Sequence, residues 1–463
     1  MKETVISSNK LHRSVKILLD SGEASSIEEA QKILSQYRLN IFVEDGIMDS
    51  PAYQAALLTA VNTGRRCFLG GVQVLGNTAI PLQIPWKSCV TLEEAVKDLQ
   101  GLVVSTLDNS FPTLSFSTAP SSTEVNPFYM RPIIRGWNGG VVPADESKKI
   151  LPNESFTPAG VLAGALAVSE AFQFIRGDNP YAGHRTIGLS LWNPKNDESW
   201  IDADPGPALK SLPSKLWLIG LGHLGQAYLW TLGFLPYPKE TGINLVLQDK
   251  DKLEEANDST SVLTNMSLLD TKKTRAMAAW CEERGFGVNI VDRKFLGDFK
   301  IHSNEPAFAL CGVDNIEARR DLEKVGFQRI IDAGLGKGPQ NYLSMIIHTF
   351  PSTKSAEQYW ALEPGAEERD DSVSLIMKQK AYQELLRNGA DHCGLTELAG
   401  HSVGASFVGV IASTLVISLV LRLCRGETIP EIIDGDLRSS PFLRHIIPNQ
   451  GPGGLFNPGL IHI

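Results

Sequence analysis

Gly220, Gly222 and Gly225 stand in one short turn, and Asp249 follows 27 residues after Gly222. Glycines so placed let backbone N–H groups approach an anion closely, and a carboxylate at the next strand end can hold sugar hydroxyls. Further along come Asp251 and Asn257, then Lys273, then Asp314 and Asn315 with Arg319 and Arg320 behind them. A metal–nucleotide site divides its labour this way: an ammonium offsets phosphate charge, a carboxylate holds Mg²⁺, and backbone donors cradle oxygens. A hydride-transfer enzyme on the same glycine turn has less use for such a lysine. Cys393 adds a candidate nucleophile in the polar stretch 388–396, with Asp391 and His392 beside it to tune the thiol.

These residues need a scaffold that alternates strands and helices. Apolar runs predict strands at 215–219, 244–248, 288–291, 308–311 and 329–332, with another at 342–349. Helical spacing predicts helices at 224–232, 271–284, 316–325, 378–388 and 405–423. That order is α/β, with the glycine turn between the first strand and first helix.

In the first part of the chain, the pattern predicts a helix at 26–34 capped by Ser26, and a strand at 40–43. A helix at 51–63 begins on proline, and strands at 67–69 and 72–75 flank Gly70 and Gly71. Residues 104–155 read as loop-rich, and 157–175 as a helix with Thr157 as cap and small residues suited to close packing. Three prolines mark 200–214 as a connector, and the tail beyond Pro441 reads as extended along a surface.

The 463-residue length suits two domains or more. A formal charge of -9 argues against nucleic acid, which needs a basic field. Six cysteines without a CxxC pair argue against a disulfide framework or a four-cysteine zinc site, and fit a reducing cytoplasm. Residues 403–421 carry no charge and approach membrane-spanning length, but as one isolated segment they read as a buried core helix rather than a membrane anchor.

Residues 214–340 resemble the E1-like (ThiF/MoeB/HesA) adenylyltransferases. The resemblance rests on Gly220, Gly222, Gly225, Asp249, Asp251, Leu253, Asn257, Lys273, Asp314, Asn315, Arg319, Asp332, Gly334 and Gly336 in that order. Residues 404–412 are similar to the glycine-rich start of the family's late core helix.

The resemblance implies a Rossmann-like adenylation domain at 206–430, with a crossover segment near 388–402. Residues 1–205 would form a separate α/β domain, either a degenerate adenylation-like half or a partner-recognition domain, and 431–463 a tail. The implied activity is ATP- and Mg²⁺-dependent adenylation of the C-terminal glycine of a ubiquitin-like protein. Asp249 would bind ribose, Asn257 and Lys273 phosphates, and Asp314 Mg²⁺. Cys393 would carry a thioester before transfer to an E2-like carrier, in a protein that forms homo-oligomers.

One departure matters. Where the family reads Asn-x-x-Arg-Gln, this chain reads Asn257, Asp258, Ser259, Thr260, Ser261, and Thr260 supplies no charge. Arg275, two residues past Lys273, and Arg13, similar to a basic residue that some members reach across a subunit interface, are the candidate substitutes. A nucleotide-binding pseudoenzyme or scaffold and a Rossmann oxidoreductase are the alternative readings.

Overall fold

The computed structural model describes residues 9–86, 88–120, 126–147, 155–195, 199–238, 242–361, 371–449 and 459–463. The first sheet contains β1 (Leu39–Val43), β2 (Val72–Gly76), β3 (Leu102–Val103), β4 (Thr113–Phe116), β5 (Tyr129–Arg135), β6 (Asn138–Pro143) and β7 (Ile187–Ser190). After the short β8 (Ser211–Pro213), the second sheet takes β9 (Lys215–Ile219), β10 (Asn244–Gln248), β11 (Gly287–Val291), β12 (Phe308–Cys311) and β13 (Arg329–Leu335). It is completed by β14 (Ser344–Phe350), β15 (Pro430–Asp436) and β16 (Leu443–Pro448), while β17 (Leu460–His462) pairs with β8.

The helices are α1 (Arg13–Asp20), α2 (Ile27–Ser35), α3 (Pro51–Gly64), α4 (Leu92–Asp98), α5 (Thr157–Arg176), α6 (His223–Gly233) and α7 (Lys273–Glu282). There follow α8 (Ile316–Arg320), α9 (Ala356–Tyr359), α10 (Asp371–Met377), α11 (Lys380–Arg387), α12 (His392–Gly400) and α13 (Ser406–Leu423).

The two sheets repeat one topology. The first runs β3-β2-β1-β4-β5-β6-β7 and the second β11-β10-β9-β12-β13-β14-β15, with β16 added at the edge. In each, the first five strands are parallel and the next two antiparallel. Helices recur in register: α3 follows β1 as α6 follows β9, and α5 precedes β7 as α13 precedes β15. The parallel part is the order of doubly wound nucleotide folds.

These four helices meet in one shared core. Gly160 and Gly164 let α5 lie on α3, since a Cβ there would stand 2.0 and 2.2 Å from the carbonyl oxygens of Ala52 and Ala56. Trp230 Nε1 donates to Thr59 Oγ1 at 3.0 Å, and Thr231 and Ser413 hydroxyls meet at 2.7 Å. Both α5 and α13 are long and apolar enough to cross a membrane, yet 89% of each such stretch is buried inside the fold. They are the central helices of the two halves.

Four expectations are corrected. Residues 67–69 form a turn rather than a strand, because Cys67 and Phe68 N–H groups both return to the Gly64 carbonyl at the end of α3. The stretch 104–155 holds β4, β5 and β6, whose ladders override a composition rich in turn formers. Thr157 does not cap α5; its hydroxyl donates to the Phe234 carbonyl at 2.8 Å and ties the two halves together. Residues 430–448 complete the second sheet instead of trailing away, since β15 would otherwise leave an open edge. Residues 450–458 lie outside the described ones.

Helix α1 is anchored by charge as well as packing. Lys16 and Asp20, both shut off from solvent, pair with each other. Asp20 also accepts from Tyr382 Oη at 2.7 Å, and Lys16 reaches the Ala399 carbonyl at 3.3 Å. Burial pushes the Asp20 carboxyl up and the Lys16 ammonium down, and their mutual attraction opposes both shifts. Lys16→Met should therefore cost about 3–5 kcal/mol by stranding a buried carboxylate. Adding Asp20→Leu should recover most of that loss in urea unfolding; equal stability of single mutant and wild type would contradict this account.

Candidate functional site

A cavity of about 480 Å³ opens at the carboxyl ends of β9, β10 and β12. It lies where strand order reverses between β9 and β12, the switch point at which doubly wound sheets take ligands. Its volume falls within the usual range for small-molecule sites.

The glycine turn shapes its floor. Gly220 adopts φ +84°, open to glycine but strained for other residues. A Cβ on Gly225 would stand 2.0 Å from the Gly220 carbonyl oxygen, so the glycine lets α6 start directly against the turn. Gly222 has no atom within 4 Å of its would-be Cβ, and no side chain caps α6. The helix therefore presents bare N–H groups and its positive end to the cavity. Asp249 holds this arrangement, accepting from the Leu221 N–H at 2.7 Å and the Asp251 N–H at 2.9 Å. Its carboxylate retains lone pairs for a further donor.

Lys273, the first residue of α7, lines the cavity with its ammonium 3.5 Å from an Asp251 carboxylate oxygen. Asp314 lines the opposite wall beyond β12. Asn315 is committed elsewhere, since its side chain caps α8 through the Ala318 N–H at 3.0 Å. Arg319 borders the cavity while facing Asp332 at 3.3 Å and donating to the Ala333 carbonyl at 3.0 Å. Burial pushes the Asp332 carboxyl up to about 6 against the pull of Arg319. Arg320 donates instead to the Trp360 carbonyl.

Three sequence candidates stand apart from the cavity lining. Asn257 turns its side-chain oxygen onto the Glu254 N–H at 2.9 Å, because the short helical turn 255–259 needs that cap. Arg275 is exposed, as a helix position two residues from Lys273 must point elsewhere. Cys393, expected in a loop, lies exposed in the first turn of α12, whose cap is Asp391 through the Gly394 N–H at 2.7 Å. Seven residues of helix, about 10 Å of rise, separate it from Gly400, shortly before the cavity-lining Ser402 and Val403. His392 faces Thr396 at 3.4 Å, so its ring is engaged along the helix.

Arg13 does not line the cavity, but it stands within the charge field of Asp314 in its own chain. It begins α1, is largely buried, and has one terminal nitrogen without a hydrogen-bond partner. Burial lowers its basicity, while the nearby charges of Glu254, Asp20 and Asp314 raise it.

The sequence reading missed His223, Arg293, Lys294, Lys337 and Ser402 at the cavity. No local pattern distinguishes these basic residues from surface ones; only the sheet gathers them. Six cationic side chains, Lys250, Lys273, Arg293, Lys294, Arg319 and Lys337, thus face three carboxylates, Asp249, Asp251 and Asp314. Asp298, Glu317 and Asp332 behind the lining partly offset Arg293, Lys294 and Arg319, but the groups at the cavity surface itself carry a positive balance that favours a polyanion. Among the described residues no three His, Cys, Asp or Glu side chains could hold a metal alone. The donor set fits a cation shared between Asp314 and phosphate oxygens, the usual manner of Mg²⁺.

Residues 38–191 match the family model of the BilD N-terminal domain, and residues 212–427 that of the BilD C-terminal domain. The bacterial E1-like protein BilD of Collimonas sp. (strain OK412) is 41% identical over 426 residues, covering 92% of this chain and 91% of that protein. Among solved structures, Escherichia coli MccB is similar with TM-score 0.34 and 14% identity, over 52% of this chain and 63% of that one, less than two thirds of its length. E. coli tRNA N6-threonylcarbamoyladenosine dehydratase, TcdA, in complex with AMP gives TM-score 0.28 and 13% identity over 46% and 86% of the two chains.

His223 joins this cavity to the central helix. Its Nε2 stands 3.3 Å from the Ser406 carbonyl, and a Cβ on Gly409 would meet the ring at 2.4 Å. Burial lowers its pKa to about 4. Between pH 6.5 and 4 the unfolded chain takes up a proton that the folded chain refuses, so stability falls with pH across that window. One edge of the ring borders the cavity, where solvent relieves part of the penalty. Between pH 7.5 and 4.5 wild type should lose about 2 kcal/mol more than His223→Gln in urea unfolding, and equal losses would refute a buried neutral imidazole.

Proposed function

This chain belongs to the BilD family of bacterial E1-like proteins, and on that footing we propose that its second sheet adenylates the C-terminal glycine of a ubiquitin-like protein, using ATP and Mg²⁺. The observation that carries the reading is the convergence of Lys273, Asp314 and the uncapped start of α6 on one cation-rich cavity.

In this reaction the partner's carboxylate oxygen attacks the α-phosphorus of ATP, the bond to the β-phosphate oxygen breaks, and pyrophosphate leaves. Bound Mg²⁺, held by Asp314 and phosphate oxygens, would neutralise charge on the leaving group. Asp249 positions the ribose, Lys273 offsets phosphate charge, and the α6 N–H groups receive phosphate oxygens. Arg13, with its free buried nitrogen beside Asp314's field, supplies a further positive charge in cis.

The first sheet supports the reading of a degenerate half. Its counterpart of the glycine turn carries Glu44 and Asp45, and Glu44 accepts from Thr118 N–H and hydroxyl groups. Its counterpart of α6, helix α3, begins at Pro51 and is capped by Ser50 on the Tyr53 N–H at 3.3 Å. A capped, acid-flanked helix start repels phosphate where an open one attracts it. The pairing of both halves within one chain supplies what a symmetric dimer otherwise would, so the proposed active form needs no second copy.

In the proposed second step, the Cys393 thiolate attacks the acyl-adenylate carbonyl, the carbonyl–phosphate oxygen bond breaks, and AMP leaves. Because Cys393 stands off the cavity, α12 must shift for that step. An E2-like thiol would then accept the acyl group.

Exchange of labelled pyrophosphate into ATP, with a glycine-ended ubiquitin-like partner, tests the first step. Lys273→Met and Asp314→Ala should each lower exchange by about 100-fold or more. No exchange in the wild-type protein with any such partner would favour a scaffold. For the second step, Cys393→Ala should keep exchange but lose a thiol-labile partner adduct; an adduct that survives in this variant rules the cysteine out.

A further inference from the structure

Thr260 leaves a charge gap in the segment that resembles the family's phosphate-contacting arginine motif, and two arginines of the other half lie against that segment. Arg65 and Arg66, at the end of α3, both cross to this segment. Arg65 Nη2 pairs with Asp258 Oδ1 at 2.9 Å and donates to the Thr264 carbonyl at 3.2 Å. Arg66 Nη1 pairs with the same carboxylate oxygen at 2.9 Å and also donates to the Asp258 carbonyl, while Nη2 reaches the Thr264 carbonyl at 2.9 Å. Two guanidinium groups therefore share one carboxylate, and one positive charge stays uncompensated within the cluster.

The cluster stands one layer of residues behind the cavity wall. Thr260 Cγ2 lies 3.4 Å from the would-be Cβ of Gly404, and the ring of cavity-lining His223 abuts the same glycine. The α3 terminus touches Ser406, whose hydroxyl donates to the Thr63 carbonyl at 3.0 Å, and the Ser406 carbonyl faces His223 Nε2 at 3.3 Å. The nearby imidazoles add no charge at neutral pH, because burial holds His12 and His223 each at about 4. Arg66 remains charged there, although burial and the neighbouring Arg65 lower it to about 9.

We infer that Arg65 and Arg66 restore, from the first half of the chain, the positive charge missing at Thr260, and that their surplus over Asp258 strengthens binding of the nucleotide's phosphates. They act through the field and not by contact, as neither lines the cavity. In a site walled by protein, such a charge loses less to screening than an exposed one. The inference rests on the adenylation reading, and both arginines are positioning residues.

The sign of the charge change separates this role from simple bracing of the loop. Asp258→Asn keeps a hydrogen-bond acceptor for the arginines but removes the compensating negative charge. By calorimetry on the full chain, it should bind ATP about three- to tenfold more tightly. Arg65→Gln, at the milder and more exposed position, should bind ATP more weakly by a similar factor. Adenosine, which has no phosphate, should bind all three proteins alike. A loop that is only braced would make Asp258→Asn weaker for ATP, and that result overturns the inference. Wild-type protein that binds no ATP at all overturns the adenylation reading itself. Titrations run well below each variant's unfolding transition keep folding out of the comparison, and Arg66→Gln is set aside because its full burial endangers folding.

Discussion

Everything at the candidate site depends on keeping the start of α6 bare. A helix N-terminus inside a protein usually finds a cap, because its first N–H groups are costly to leave unsatisfied. Here Gly222 provides none, and Asp249 spends its carboxylate one residue earlier, on the Leu221 N–H at 2.7 Å. The turn is thereby held rigid while the donors behind it stay available. Gly225, with no room for a side chain against the Gly220 carbonyl, lets the helix start directly at the turn. An open positive end facing a cavity is suited to an anion.

The duplicated sheets show how one topology can be made receptive in one copy and closed in the other. The strand orders and directions agree, and each copy places its two long helices at the same points. The difference lies at the first turn: glycines and no cap after β9, but Glu44, Asp45 and the Ser50 cap after β1. The closed copy still contributes through α3 and α5, which bury the open copy's central helices and carry Arg65 and Arg66 to its loop. Cooperation between halves is thus electrostatic as well as hydrophobic.

Charge in this protein is arranged locally against its overall sign. A chain of net charge -9 gathers six cations around one cavity, while the buried carboxylates Asp20 and Asp332 are each ion-paired, with Lys16 and Arg319. Arg319, tied to Asp332 and the Ala333 carbonyl, is held as part of the wall: leaving would strand a carboxylate fully shut off from water. Lys273 faces an exposed carboxylate, so it can turn to a ligand at little cost.

The chain order by itself determined the α/β alternation of the second half, the glycine turn, and the succession of Asp249, Lys273 and Asp314, which the fold brings to one cavity. Those signals are local: a strand-length apolar run, a residue that tolerates positive φ, and charged groups at successive strand ends. It also showed the Ser26 cap and the helix from Pro51, which likewise depend on near neighbours. It misread 104–155, because β4, β5 and β6 are strands only through their ladder partners, and Thr157, whose hydroxyl is claimed by Phe234 from the other half. Tertiary structure alone decided the repetition of the two sheets, the burial of Arg13 at the start of α1, and the standing-off of Cys393. Those depend on which distant surfaces bury each other, and no spacing along the chain encodes that.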